Sequence, residues 1–211
     1  MPIGSGVPSP TERVMIFIDG SNIFWAARAR GHYIDYLKLK DLLVGSSRRL
    51  VRPYYYCAIG VPPTRKQIAF HDKLKYSGFT VVTKPLKRRV SEARLLAVFD
   101  QKNQEWSEQK ERELVKVEKD EEKGVDVALV TDMISMAYKN AYDTAILVSG
   151  DEDYLSAVKD IKLIPRRVEI AAFSDTDTHK PPRWITTISR EMKMIADHFY
   201  PLEKFINQIK I

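Results

Sequence analysis

Two kinds of apolar pattern alternate along this chain. Short continuous runs at Val14 to Ile18, Val51 to Ile59, Phe79 to Thr83, Thr144 to Ser149 and Arg167 to Phe173 have the length and β-branched or aromatic content of buried strands. Between them the periodicity is helical. Asn22 to about Arg30, ended by Gly31, reads as a helix, and a shorter one spans Tyr36 to Leu43. Pro62 and Pro63 open a third helix that reaches Tyr76 and is closed by Gly78. Val127, Val130, Ile134 and Ala137 mark one apolar face of a helix starting at Asp126. Helices from Glu152 to Ile161 and from Trp184 to Ala196 complete the pattern. Strands alternating with helices predict an α/β fold: a central, mainly parallel sheet covered on both faces, in three α/β/α layers with right-handed crossovers.

The periodicity fails from Lys84 to Lys123, a charged, insertion-like stretch that fits either a β-hairpin (Arg94 to Phe99 with Glu113 to Glu118) or a helix. Residues 1–11 read as a flexible leader without the apolar region of a signal peptide, residues 12–200 as one domain, and 201–211 as a tail. An apolar content of 44% with 29% charged residues excludes disorder, and no run is long enough to span a membrane. The expected location is the cytoplasm. A formal charge of +6 favours a polyanionic partner. One cysteine, Cys57, rules out an internal disulfide or a zinc cluster, and His32, His71, His179 and His198 are scattered as surface or packing residues are.

Acids then stand out by position. Asp19 ends the first apolar run in Phe17-Ile18-Asp19-Gly20-Ser21-Asn22, Asp151 and Asp153 follow another in Ser149-Gly150-Asp151-Glu152-Asp153, and Asp126 opens a helix in Lys123-Gly124-Val125-Asp126. Each has a structural reading, since Asp-Gly is a common turn and Asp a common helix cap. All converge on the carboxyl edge of the sheet if the first and fourth strands are neighbours, and ligands bind along that edge in open α/β sheets. Carboxylates gathered there repel one another unless a cation neutralises them. Oxygen donors without a His or Cys cluster select Mg²⁺ or Mn²⁺. Gly20 and Gly150 would allow close backbone approach, while Ser21, Asn22 and Ser149 supply hydrogen bonds to a metal-bound water or a phosphate.

These motifs resemble those of NYN domains, a branch of the PIN-like nuclease superfamily. Residues Phe17 to Asn22 are similar to the opening motif, and Lys123 to Asp132 and Ala141 to Tyr154 to the second and third motifs of LabA-like members, a likeness spanning roughly Arg13 to Phe199. The resemblance implies a PIN-like fold with Asp19, Asp126 and Asp151 as catalytic metal-binding acids, Asp153 as a fourth, and Asn22 as the polar residue after the first acid. Asp132 matches a recurrent acid, but six residues from Asp126 it lies roughly 120° round the helix and serves in an outer role.

The implied activity is a metal-dependent ribonuclease using metal-activated water, with products carrying a 5′-phosphate and a 3′-hydroxyl. The alternative is a catalytically weak or inactive module that binds RNA or protein and retains the acidic pocket; hydrolysis of small nucleotides is a third reading. A haloacid-dehalogenase-type phosphatase fails because Phe17 stands where its nucleophile is needed. An integrin-like metal site meets Ile23 at its last ligand position, and a Toprim-type site needs glutamate where Asp19 stands. Arg65, Lys66, Lys84, Lys87, Arg88, Arg89, Lys180 and Arg183 follow strands two, three and five, so they form the candidate nucleic-acid contacts, with Lys84 to Arg89 as the best phosphate track. Phe24 or Trp25 is placed to stack a base, with at least one of them expected to bury against the sheet. Tyr54, Tyr55 and Tyr56 alternate between the two sheet faces and read as core. No sustained heptad pattern assigns an oligomeric state.

Overall fold

β1 (Arg13–Asp19) lies inside a six-stranded sheet, and the chain leaves it in opposite directions at different times. The computed structural model describes residues 11–94, 97–100, 105–108, 114–174 and 187–211. From β1 the chain passes through α1 (Gly20–Ala29) and α2 (Tyr36–Val44) to β2 (Arg49–Ile59), then through α3 (Arg65–Tyr76) to β3 (Thr80–Pro85). Next come β4 (Lys87–Arg94), β5 (Ala97–Asp100), β6 (Glu105–Glu108) and β7 (Leu114–Glu121). β4 pairs antiparallel with β7, and β5 with β6, outside the main sheet. α4 (Val125–Tyr138) returns the chain to the other side of β1, as β8 (Thr144–Val148). A 3₁₀ turn (Glu152–Tyr154), α5 (Leu155–Leu163), β9 (Arg167–Ala172), α6 (Arg190–Ile195), β10 (His198–Pro201) and α7 (Leu202–Ile209) follow.

The sheet order is β10-β9-β8-β1-β2-β3, and every neighbouring pair is parallel. Alternation sends Val14, Ile16, Ile18, Tyr55 and Cys57 into one core with Ile23, Leu39 and Leu74 of α1 to α3. Met15, Phe17, Tyr54 and Tyr56 face the other, with Leu129 and Met133 of α4 and Val158 of α5. Both sides are buried, which is why the strands read as continuous apolar runs. The three-layer α/β expectation holds, with β1 and β8 adjacent as the acidic convergence requires.

Several local expectations are corrected. α3 starts at Arg65 and not at the prolines, because Thr64 accepts from the Gln67 N–H and Gln67 reaches back to the Thr64 N–H at 2.9 Å, a capping box. α4 starts at Val125 behind Gly124, whose φ of 79° suits glycine, so Asp126 lies inside the first turn. Its buried stripe is Val125, Leu129, Met133 and Ala137; Val127 is 62% exposed. This helix is apolar nearly all round, so packing against β1 and β2 selects the face. The charged stretch takes the strand alternative, in different strands from those expected; Leu95, Leu96 and Glu113 lie outside the described residues. The last predicted helix is shorter, α6, and its expected start, Trp184 to Thr186, lies outside the described residues. Residues 201–211 carry α7, which lays Leu202 and Ile209 into the core beside α2. No helix among the described residues is long and apolar enough to cross a membrane.

Two further features position the site. At the far end of the sheet Arg48 donates to Glu169 Oε2 (2.8 Å) and to the Val44 carbonyl (3.0 Å), and Tyr200 OH donates to the same carboxylate (3.0 Å). Glu169 is 4% exposed, so this pair joins β9, β10, the end of α2 and the loop before β2 in one buried network. At the near end Gly20 lies against Tyr55: a Cβ there would sit 2.3 Å from the ring carbon bearing the hydroxyl. The glycine thus makes room for a tyrosine. Gly20→Ala is expected to lower stability by about 1–3 kcal/mol, measured as a lower urea midpoint. The loss should shrink in a Tyr55→Leu background.

Candidate functional site

The carboxyl ends of β1 and β8 deliver Asp19 and Ser149 side by side. Ile18 pairs with Val148, and Asp19 is the last residue of its strand. Alternation turns Asp19 to the same side as Phe17, toward α4 and α5. There it is 7% exposed. Its Oδ1 accepts from the Asn22 N–H at 3.0 Å, capping α1, and its Oδ2 accepts from Tyr154 OH at 2.9 Å and Ser149 Oγ at 3.4 Å. Asn22 Oδ1 in turn accepts from the Gly150 N–H (3.0 Å), tying the end of β1 to the end of β8. Ser149 Oγ accepts from the Asp151 N–H (3.2 Å), and Asp151 Oδ1 from the Asp153 N–H (3.1 Å).

Electrostatics follow from this burial. Desolvation pushes the Asp19 carboxyl up to about 6, against the hydrogen bonds from Asn22 and Tyr154, while the charges of Glu122 and Asp151 push it further up. The Tyr154 hydroxyl is raised by its own burial and by Asp19, Asp151 and Asp126. These mutual effects gather Asp19, Asp126, Asp151 and Glu122 at one edge. Asp126 and Asp153 are exposed, and Asp151 is half-buried.

Three placements differ from the sequence reading. Asp132 accepts from Tyr56 OH of β2 at 2.9 Å, a partner the sequence did not point to. Ser21 donates to Glu122 Oε1, which also accepts from the Ala58 N–H at 2.9 Å. Phe24 and Trp25 are 40% and 52% exposed and contact each other edge to face, so neither buries against the sheet. Glu122 and Tyr154 are the additions. Glu122 is one acid in a run of charges, and Tyr154 looks like an ordinary core aromatic; neither carries a spacing signal.

The basic candidates separate. Arg65 and Lys66 are exposed on the first turn of α3, at the same sheet edge. Lys84 lies in β3 opposite Ala58, not in a loop, and Lys87, Arg88 and Arg89 belong to β4, opposite Glu121, Asp120 and Lys119. Lys180 and Arg183 lie outside the described residues.

The NYN domain profile matches residues 13–203. The chain belongs to the NYN domain family. It is 26% identical over 192 residues to the low amplitude and bright protein LabA of Synechococcus elongatus, across 90% of this chain and 84% of that protein. Its fold is similar to the crystal structure of a protein of unknown function from Vibrio parahaemolyticus, with a TM-score of 0.63 and 22% identity over 95% of this chain and 97% of that one. NYN domains are PIN-like nucleases, which supports a nuclease- or RNA-related role for this NYN protein.

The donor set can be tested against a metal. Among the described residues no three His, Cys, Asp or Glu side chains form a group able to ligate one ion directly. Magnesium keeps several waters and takes one or two carboxylates. Asp19 and Asp151 would therefore offer at most one or two carboxylates to a water-rich hard ion, not a protein cage.

Asp19 also predicts a pH dependence of folding. Its folded-state value, about 6, stands above its ordinary 3.8, so the native state holds a proton that the unfolded chain releases between about pH 4 and 6. Stability therefore falls as pH rises through that window. Asp19→Asn should be more stable than the native chain at pH 7.5, by about 3 kcal/mol, and the difference should vanish near pH 4 in denaturant titrations.

Proposed function

We propose that this NYN protein is a metal-dependent ribonuclease whose site is the acidic edge at Asp19. The observation that carries the reading is the buried carboxylate of Asp19 at the junction of β1 and β8, held by Tyr154 and Asn22 beside Asp151. A buried acid at this point is costly, and such costs concentrate where chemistry needs them.

Asp19 and Asp151 would hold the Mg²⁺ or Mn²⁺ ion, with Asp126, Asp153 and Glu122 extending the negative edge around it. When bound, such an ion would supply charge compensation for the phosphate and a more acidic water as nucleophile. The remaining work belongs to the protein. Tyr154 and the Asn22 N–H fix both oxygens of Asp19, so the carboxylate does not turn away from the edge. Asn22 holds the Gly150 backbone, which sets where Asp151 begins its turn. Ser149, fully buried, links Asp19 to the Asp151 N–H. Arg65 and Lys66 face solvent at this edge and contact the RNA backbone.

The test is cleavage of end-labelled single-stranded RNA and matched DNA with Mn²⁺, Mg²⁺ or EDTA. RNA cleavage that needs the ion is expected. Asp19→Asn and Asp151→Asn should each lower the rate at least about 100-fold, the upper end of losses found when only a ligand's supporting partner is removed. Equal cleavage by native chain and variants would overturn the assignment, and no cleavage would leave a binding module with a retained acidic pocket.

A further inference from the structure

On the other side of Gly20 from the acids, a cavity of about 640 Å³ opens between α1 and α3. Its floor is aromatic. Tyr36, Tyr55 and Phe70 meet one another at 4.9 to 5.9 Å between ring centroids, with Tyr36 and Tyr55 buried. Its rim is aromatic too, but exposed: Phe24 and Trp25 stand edge to face at 5.1 Å on α1, and Tyr33 is 51% exposed. Arg28 holds its guanidinium 4.5 Å from the centre of the Tyr33 ring.

The cavity adjoins the acidic edge. Gly20 and Ser21 line the cavity and directly follow Asp19 in the chain. Glu122 also lines it, holds Ser21 and the Ala58 N–H, and is felt by Asp19. A molecule lying across the acids therefore has this opening beside it. The volume falls in the range of sites for small organic groups, roughly 300–1,000 Å³.

The walls select the group. Aromatic faces with few polar atoms exclude a phosphate and accept a flat ring, which gains about 1–3 kcal/mol by stacking whatever its base identity. A polar handle is present at Gln67: its Oε1 already accepts from the Thr64 N–H, which leaves its NH₂ to donate to a ring nitrogen or carbonyl. Arg28 at the rim supplies a cation for a phosphate that stays outside. An aliphatic ligand uses neither the handle nor the cation.

We propose that this cavity receives one unstacked base of a single-stranded RNA whose backbone crosses the acidic edge at Asp19. The proposal rests on the nucleic-acid reading of that edge. It makes the recognised substrate a splayed single strand, because a base held in a duplex enters only after an unstacking and unpairing cost of about a few kcal/mol.

The test is binding of a fluorescein-labelled RNA octamer in EDTA, followed by anisotropy, so that no turnover is needed. Trp25→Ala and Phe24→Ala, both at exposed positions, should weaken binding about 5- to 150-fold, the loss of one base–aromatic stack. With the native chain, octamers carrying a single abasic position should show one position at which affinity drops by a similar factor. That drop should be absent in Trp25→Ala. Native-like binding by both variants, an abasic loss that persists in Trp25→Ala, or no binding of the octamer overturns the pocket. Base-dependent binding without metal-dependent cleavage keeps the pocket and removes the nuclease reading. Cleavage lost in Asp19→Asn but with unchanged KM in Trp25→Ala and Phe24→Ala does the reverse.

Discussion

The structure turns on the burial of one carboxylate where the sheet changes direction. After β1 the chain builds outward through β2 and β3, and it later returns to build the opposite flank from β8. The helices diverge to opposite faces at that seam, so a crevice is unavoidable between the carboxyl ends of β1 and β8. Asp19 fills it. Leaving a carboxylate there without partners would be prohibitive, and the neighbours are arranged to meet the need: a backbone N–H from the helix it caps, a tyrosine hydroxyl from the following motif and a serine hydroxyl from β8. The second and third acids come to the same place because α4 and the 3₁₀ turn begin beside the strand ends that the seam exposes.

Much of this was readable in the residues. The runs at Val14 and Thr144 are buried on both faces and bounded by turn residues, so they had one interpretation, and the acids at their ends located the edge. Asp19 and Asp151 also satisfy the cap readings that competed with the functional one. The two roles use different features of the same group, and capping alone does not explain why Asp19 is buried beside other acids. What stayed hidden depends on partners far along the chain. The rotation of α4 is set by what it meets on β1 and β2, not by a helix that is apolar on most sides. β10 is four residues of mixed character, recognisable only by its pairing with β9. Glu122 owes its place to contacts far along the chain, with its carboxylate bridging Ser21 and the backbone of Ala58.

The edge is chemically divided. One side, toward α4 and α5, is carboxylate and hydroxyl; the other, toward α1 and α3, is aromatic. Gly20 stands at the boundary because Tyr55 occupies the volume its side chain would take. Cys57 belongs to the aromatic side: burial and the nearby acids push its thiol up to about 12, so it packs there as a neutral group against His71. A polyanion with flat apolar bases carries the same division within each of its units.

The Arg48–Glu169–Tyr200 network braces the sheet away from the acids. It fastens the loop before β2 to β9 and β10, in a buried place where the charges cannot easily separate. At the carboxyl end the flanks are joined across the seam by lighter links such as that of Asn22 to the Gly150 backbone. The flanks themselves meet in the β1–β8 ladder, which pairs without a break from Val14 and Thr144 to Ile18 and Val148. The acids thus stand on a platform whose strands are tied by backbone beneath them and, away from them, by a buried charge pair.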